Sequence, residues 1–446
     1  MATVKSYHPS ITAERRAEWK LMRDCMDGES AVKSRGETYL PKPTGYKTAE
    51  DGGAALYDAY IKRAQFPELL APSVAAMIGI IHGREIPIEM PAQMEYLWEN
   101  ADSHGLPLEA FHRRITRELL VIGGYSVLAD MAESGGDPWL AGYNRDTLIN
   151  WDDNWYVLDE TDLVRTGFVW EQLEKYRVLT MDGSFYAAAV YSGQTETGEP
   201  IQVRGRGGRL LPRIPLAIAS AMDLSPRVEP PPLIGVARAA LSIYRKSADQ
   251  ENALYMGGNP TLVAINGDAP SAVGAGVVHE MRGTEGLTPD LKYVAMPDTG
   301  LKARREEMDK DREAAVMAGA RLFEQTAAGD ESGEAKRLRY ASETATLVSI
   351  AQSSCLLLER SLRNVAMLMG LPEDGIVVEA PTDLMDRTMS PQDFAALFGV
   401  YKEGGMSWDT LHALGQRGGI YSPERTAEQE NRLIDMPLVN DAAVVA

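Results

Sequence analysis

Residues 230–265 read PPPLIGVARAALSIYRKSADQENALYMGGNPTLVAI, and the way this stretch starts, runs and stops decides the architecture. Glu229-Pro230-Pro231-Pro232 is a rigid lead-in, because proline fixes its own backbone and drives its predecessor to extended conformations. A long helix is predicted from Leu233 to Met256, ended by Gly257-Gly258. Residues 259–298 then change character to short strands and turns: PTLVAING, a small-residue loop, GVVHEM and LKYVAMP.

Helix returns after this excursion. Leu301 to Gln325 is highly charged, with Met308, Ala315 and Leu322 on one stripe. Lys302, Glu306, Asp309 and Glu313, spaced 4-3-4, form a polar stripe. Such a helix cannot be buried all round. Its apolar stripe needs a partner, either its own chain or a neighbour in a ring whose channel the charged stripe would face. A break follows at AAGDESG, Ala327 to Gly333. A third helix is predicted from Glu334 to Met369, about 54 Å long at 1.5 Å per residue. Leu347, Ile350, Leu358, Leu362, Val365 and Met369 mark its apolar face, and Gly370-Leu371-Pro372 ends it.

Upstream, Thr12 to Cys25 reads as a short helix closed by Gly28, and Tyr39 to Tyr46 as extended or turn. Residues 54–82 read as helix, a break at Phe66-Pro67, and a second helix from Ser73 to Ile81 that Ser73 could cap. Residues 91–104 are expected to form an amphipathic helix carrying Met94, Leu97 and Trp98. Another, over 107–122, carries Leu108, Phe111, Ile115, Leu119 and Ile122. Gly123-Gly124 leads into a strand, Tyr125 to Met131. Residues 143–225 are mainly β. Strands are expected at Thr147–Trp151, Trp155–Leu158, Leu163–Glu171, Tyr176–Met181, Tyr186–Tyr191 and Ile201–Val203. Asp182-Gly183 is a hairpin signal, and Trp151, Trp155 and Trp170 are expected to supply aromatic surface to this sheet. Residues 390–436 read as two or three short helices. The fold class is α+β.

With 446 residues, 44% hydrophobic and 24% charged, the chain can bury a sizeable core. A net charge of −19 argues against sequence-wide attraction to nucleic acid. A channel through which DNA must slide, however, does better to repel phosphates than to grip them. Cys25 and Cys355 are the two cysteines. Far apart in sequence, they suit a reducing compartment and no metal cluster. No long apolar run predicts a membrane span, and MATVKSYHPS lacks the apolar stretch of a secretory signal.

Catalytic constellations are not found. GAGVVH at Gly274 lacks the third glycine of a dinucleotide loop. GDESGEAKR at Gly329 lacks the lysine of a phosphate loop, and GYSVL at Gly124 is no nucleophile elbow. His8, His82, His104, His112, His279 and His412 show no metal-ligand spacing beyond the loose pair His104 and His112, and they read as surface or interface residues. The acidic pairs Asp152-Asp153 and Glu306-Glu307 read as solvated faces. The basic cluster Arg204, Arg206, Arg209 and Arg213 has three readings: phosphate contact, subunit contact, or exposed turn. No cofactor is expected, and no enzyme activity.

Three stretches carry a resemblance. The first is Pro230 to Ile265, with its Pro-rich entry, its Tyr-Arg-x-x-Ala-Asp core (Tyr244 to Asp249) and its Gly-x-Pro-Thr exit. The second is GEAKRLRYASETATLVSIA, Gly333 to Ala351. The third is Tyr60 to Asp130, with Arg63-Ala64, Phe66-Pro67, Gly79, Gly105 and Gly123-Gly124. A weaker echo runs from Met389 to Ile420. Together these resemble the portal proteins, or head-to-tail connectors, of tailed bacteriophages. More narrowly they are similar to a portal-like family first catalogued as a domain of unknown function. The resemblance spans roughly residues 50–420 and rests on the order and length of blocks. Val377 to Asp386 departs from it, lacking the polar-aromatic strand of the pattern.

The resemblance implies a portal fold with wing, stem, clip, tunnel loop and crown. It places a wing region at 1–228, the first stem helix at 229–258, the clip at 259–298 and the second stem helix at 299–326. The tunnel loop falls at 327–333, a wing-to-crown helix at 334–370 and the crown at 371–446. It implies a homo-oligomeric ring, usually of twelve, at one capsid vertex, made in the bacterial host cytoplasm and kept in the virion. Double-stranded DNA would pass through the ring during packaging and ejection. Asp330, Glu331, Glu334, Lys336 and Arg337 would lie at the tunnel loop, and Lys302, Glu306, Asp309 and Glu313 would face the channel. His279, Glu280, Arg282, Glu285, Asp290 and Lys292 would form a clip surface for the terminase large subunit and later for head-tail adaptors. Capsid and scaffold proteins complete the partners. The competing readings are a non-enzymatic binding or scaffold module acting as monomer or dimer, and an enzyme using Asp152, Asp153, Glu306 and Glu307.

Overall fold

Thr12 stands in an extended conformation and its side chain accepts the Arg15 amide, starting helix α1 (Ala13–Asp27). α2 (Glu29–Ser34), α3 (Ala54–Arg63) and α4 (Leu70–Ile81) follow. This computed structural model describes residues 3–132, 135–193, 195–196, 200–258, 261–270, 272, 286–294, 300–315, 333–381, 391–417, 419–422 and 424–434. Contacts divide the chain into two units, Met1–Pro381 and Thr382–Ala446.

The expected Ser73 cap is not made. α4 begins three residues earlier, with Pro72 inside its first turn, where a missing amide leaves no helical bond unmade. Ser73 Oγ instead donates to the Leu69 carbonyl at 2.7 Å. The helix expected over 91–104 shrinks to a 3-10 segment, Ala92–Trp98. The Asn100 and Asp102 side chains take backbone amides of Gly105, His104 and Leu106 and so compete with helical continuation. α5 (Leu108–Val121) forms as predicted and buries Leu108, Phe111, Ile115 and Leu119.

Strand β1 (Gly124–Asp130) is the centre of a three-stranded antiparallel sheet, between β2 (Trp139–Asn144) and β9 (Leu216–Ser220). Neither flanking strand is among those expected from the sequence. β9 is buried throughout, so it lacks the alternation that marks a half-exposed strand. A second sheet is a meander of β3 (Leu148–Asp152), β4 (Trp155–Asp159), β7 (Lys175–Asp182) and β8 (Phe185–Ser192), extended by short pairings at Thr195–Glu196 and Ile201–Gln202. Asp182 pairs with Phe185 across the expected turn. Arg177 on β7 binds Asp130 of β1 at 2.6 Å and Glu160 at 2.7 Å, tying the two sheets together.

Leu163–Glu171, expected as one strand, is a hairpin. β5 (Asp162–Thr166) pairs with β6 (Val169–Leu173) across a two-residue loop, Gly167-Phe168, in which Gly167 has φ +67°. Glycine first in a two-residue loop is the chemistry such a turn requires. Trp170 lies on this hairpin and is 61% exposed, so it adds no surface to the sheet core.

The long helix and the strand after it form as read in the decisive stretch; of the helix expected over Leu301–Gln325, 316–325 lie outside the described residues, as do 327–332 of the expected break and most of the loop in the excursion. α6 (Ile234–Gly258) is followed by the paired strands β10 (Thr261–Ile265) and β11 (Asp290–Val294), then α7 (Leu301–Ala315) and α8 (Gly333–Met369). α8 packs on α5, β1 and β9, and from Ile350 to Met369 it is buried on most of its faces. Val377–Val378 pairs with Ile88–Glu89. Among the described residues of the second unit are the helices α9 (Pro391–Lys402), α10 (Trp408–Arg417) and α11 (Ala427–Ile434). Phe394, Trp408 and His412 all pack on the Tyr421 ring, His412 stacked at 5.1 Å. Among the described residues no helix is long and apolar enough to cross a membrane.

Candidate functional site

The Tyr-Arg-x-x-Ala-Asp core of α6 is a docking surface for the N-terminal segment. Tyr244 packs edge-to-face on Phe66 at 6.1 Å. Arg245 Nε donates to the Tyr39 carbonyl at 2.6 Å. Ser247 Oγ accepts the Gln65 amide at 2.9 Å and lies 2.9 Å from the Gln65 carbonyl. Ala248 is fully buried, and Asp249 Oδ1 accepts the Tyr60 hydroxyl at 2.6 Å. The block at Arg63–Pro67 and the core of α6, far apart in sequence, are therefore two sides of one joint. Beyond Gln250 the helix is less covered, and Leu254, Tyr255 and Met256 are each exposed by more than 40%. The Arg63 guanidinium covers the Tyr255 ring at 3.7 Å.

α7 packs along α6, so the chain supplies a partner for its apolar stripe. Ala315 is buried and Met308 half-buried; Leu322 lies outside the described residues. Lys246 Nζ binds Asp311 at 2.9 Å across the two helices. Lys302, Glu306, Asp309 and Glu313 all stay exposed on α7. Lys302 pairs with Glu306 at 3.9 Å and Arg312 with Asp309 at 3.2 Å. The result is a solvated, mixed-charge face beside a packed helical pair.

Of the expected tunnel-loop residues, Asp330 and Glu331 lie outside the described residues. Glu334, Lys336 and Arg337 fall in the first turns of α8. Of the expected clip surface, His279, Glu280, Arg282 and Glu285 lie outside the described residues. Asp290 and Lys292 sit on β11 opposite Ile265 and Val263, and both are exposed. Tyr293, Val294 and Leu287 are exposed beside them.

The histidine reading is corrected in two places. His112 and His412 are 2% and 3% exposed, so neither is a surface residue. The pair that meets is His82 with His112, rings 4.8 Å apart and perpendicular, and His104 takes no part. His82 Nε2 bonds Thr116 at 2.8 Å, and His112 Nε2 bonds Ser354 of α8 at 3.2 Å, with Cys355 Sγ 3.8 Å away. Burial pushes His112 down to about 3 and, with Arg113 nearby, His82 down to about 4. Burial pushes the Cys355 thiol up to about 12, leaving it unreactive. The cluster is a neutral seam between α4, α5 and α8. The signal missed was that His82 ends α4 and His112 lies inside an apolar stripe on α5.

In the arginine turn all four arginines are exposed, and two of them pair within the chain. Arg206 pairs with Asp137 at 2.9 Å and Arg213 with Glu373 at 2.7 Å. Gly205 presses on the backbone of α8: a Cβ there would stand 2.6 Å from the Leu368 carbonyl oxygen. Asp152-Asp153 forms a hairpin turn in which the Asp152 carboxylate takes the Asp153 amide. Glu307 pairs with Lys310. Among the described residues no group of three His, Cys, Asp or Glu side chains is placed to hold a metal.

A family described as "Domain of unknown function (DUF4055)" matches residues 232–369. The match opens two residues before α6 and closes at the last residue of α8, covering less than a third of the chain. Among solved structures, the chain is similar to one in the virion of a native gene transfer agent (GTA) particle. That match has 12% identity and a TM-score of 0.41, and it covers 87% of this chain and 98% of the other. It is also similar to a chain in the neck of an empty GTA particle. There the identity is 14% and the TM-score 0.39, with 80% of this chain and 90% of the other covered. No curated protein matches the chain.

Proposed function

We propose that this chain is a structural subunit of a phage-type particle, and more finely a portal: one member of a ring through which double-stranded DNA is packaged and ejected. The observation that carries the reading is the α6, β10–β11, α7 unit followed by the 37-residue α8. In the resemblance this is stem helix, clip, stem helix and long helix, in that order. A helical pair whose outer face bears Lys302, Glu306, Asp309 and Glu313 suits a channel wall. Exposed charges of both signs give weak contact that water and salt screen, so DNA slides past. A chain of net charge −19 repels phosphate overall and would not trap it.

In this reading the β10–β11 ribbon, with Asp290 and Lys292, is the docking end for the terminase large subunit and then for head-tail adaptors. Asp330, Glu331, Glu334, Lys336 and Arg337 encircle the DNA. Hydrolysis of ATP belongs to the terminase, and the portal carries no enzyme activity. Capsid and scaffold proteins surround the ring at its vertex.

Epitope labelling of purified particles tests the placement. An epitope on the second unit should be detected, in particles opened to admit the label, at one vertex per particle, at the base of the tail. Label distributed over the whole shell, or absent from particles, would contradict the portal reading and favour a scaffold or binding module.

A further inference from the structure

The hairpin β5–β6 is the least covered part of the sheet region. All ten residues of its two strands are exposed. Leu163 is 57% exposed, Val164 45%, Val169 61%, Trp170 61%, Leu173 48%, and Phe168 at the tip 95%. The strand residues among these present roughly 250–300 Å² on each of the ribbon's two faces, and Phe168 adds its ring at the tip; only burial of both faces together approaches one partner's share of a standard interface. An isolated two-stranded ribbon is marginal in water. Here Glu160 and Lys175 at the base join by a 2.8 Å ion pair and hold the ribbon to the sheet.

The strand register sorts the side chains onto two faces. Leu163 lies opposite Gln172 and Arg165 opposite Trp170, so one face holds Leu163, Arg165, Trp170 and Gln172. The other holds Asp162, Val164, Thr166, Val169, Glu171 and Leu173. Each face is half apolar. One carries a single positive charge, the other two negative charges. Arg165, Asp162 and Glu171 have no ion-pair partner among the described residues. Opposite faces of one ribbon are thus complementary in charge and alike in apolar content, whereas identical faces repel.

We propose that this ribbon is an arm that packs on the arm of a second copy of this chain. The Arg165–Trp170 face of one copy meets the Val164–Glu171 face of the next. A contact between unlike faces is heterologous and continues from copy to copy, and such contacts close rings when the rotation permits. The foreign-partner alternative is weaker because the two complementary faces are both present on every copy. The proposal rests on the ring reading above and names a surface that builds the ring.

The test uses the full chain and measures assembly mass by light scattering across a concentration series. Arg165→Glu should raise the concentration for half-assembly by at least about tenfold, by placing like charges face to face. The double variant Asp162→Lys, Glu171→Lys should do the same. The triple variant inverts both faces and should restore assembly. Phe168→Ser with Trp170→Ser should weaken assembly in every background. Because the arm is exposed, thermal unfolding of each variant should match the parent, which separates lost assembly from lost fold. Wild-type assembly by all variants, or a triple variant no better than the single and the double, would overturn the arm while leaving the ring reading standing. A parent chain that never assembles would overturn both.

Discussion

Tyr60 donates a 2.6 Å hydrogen bond to Asp249 Oδ1 and so joins the end of α3 to the middle of α6. Burial, with the Asp249 carboxylate, pushes the phenol well above its ordinary value, so it remains a donor at neutral pH. Four further contacts from residues 39–66 converge on the same two turns of α6. The middle of the long helix is therefore held by the N-terminal segment, while α7 and the Arg63 guanidinium accompany it further along. Tyr60→Phe should lower stability by about 1.5–3 kcal/mol, the range for a hydrogen bond to a charged group. Urea unfolding should show a lower midpoint at unchanged slope. An unchanged midpoint would mean that the joint does not depend on this bond.

Gly205 is needed for contact with α8. Its Cβ position is 2.6 Å from a backbone oxygen that cannot swing away. Gly205→Ala should cost about 1–3 kcal/mol. Gly45→Ala, where nothing lies within 4 Å, is the control and should change stability by less than about 0.5 kcal/mol. Equal effects of the two would contradict the packing described.

Most of the helical order was legible from sequence, because breakers stand where helices end. Pro230–Pro232, Gly257-Gly258 and Gly370-Leu371-Pro372 bracket α6 and α8 to within two residues. What was hidden depended on tertiary context. β9 (Leu216–Ser220) is buried on both faces and shows no period of two. Helix 91–104 failed because Asn100 and Asp102 bind local amides, a choice that apolar spacing does not report. The His82–His112 contact joins residues thirty positions apart on two helices. The Gly167 turn was a readable signal that a strand of nine residues should have raised.

The histidine seam gives the chain an acid limit. His82 and His112 have folded pKa values below the ordinary 6.5, at about 4 and about 3. The unfolded chain therefore takes up protons first as pH falls. The stabilisation is complete above about pH 6.5 and is lost as pH drops, down to about 4 for His82 and about 3 for His112. Each contributes at most about 1.4 kcal/mol per pH unit in that window. His112→Gln should flatten the fall between pH 6 and 4 in denaturant midpoints. A slope equal to the parent's would remove His112 from the account.

The tunnel-loop assignment predicts a separation of assembly from function. Deleting Ala328 to Ser332 should leave oligomer mass unchanged while particles retain less DNA, measured as genome content per purified head. Loss of the oligomer itself would show that this segment is a building element and not a loop at the DNA.

The central claim is that copies of this chain close into a ring. The direct measurement is the mass of the purified protein in solution, by light scattering behind a sizing column, with negative-stain images of the same peak. The account predicts particles of several hundred kDa with a central hole, near twelve times the 48.8 kDa chain. Nothing beyond a dimer, even after crosslinking at high concentration, would contradict it.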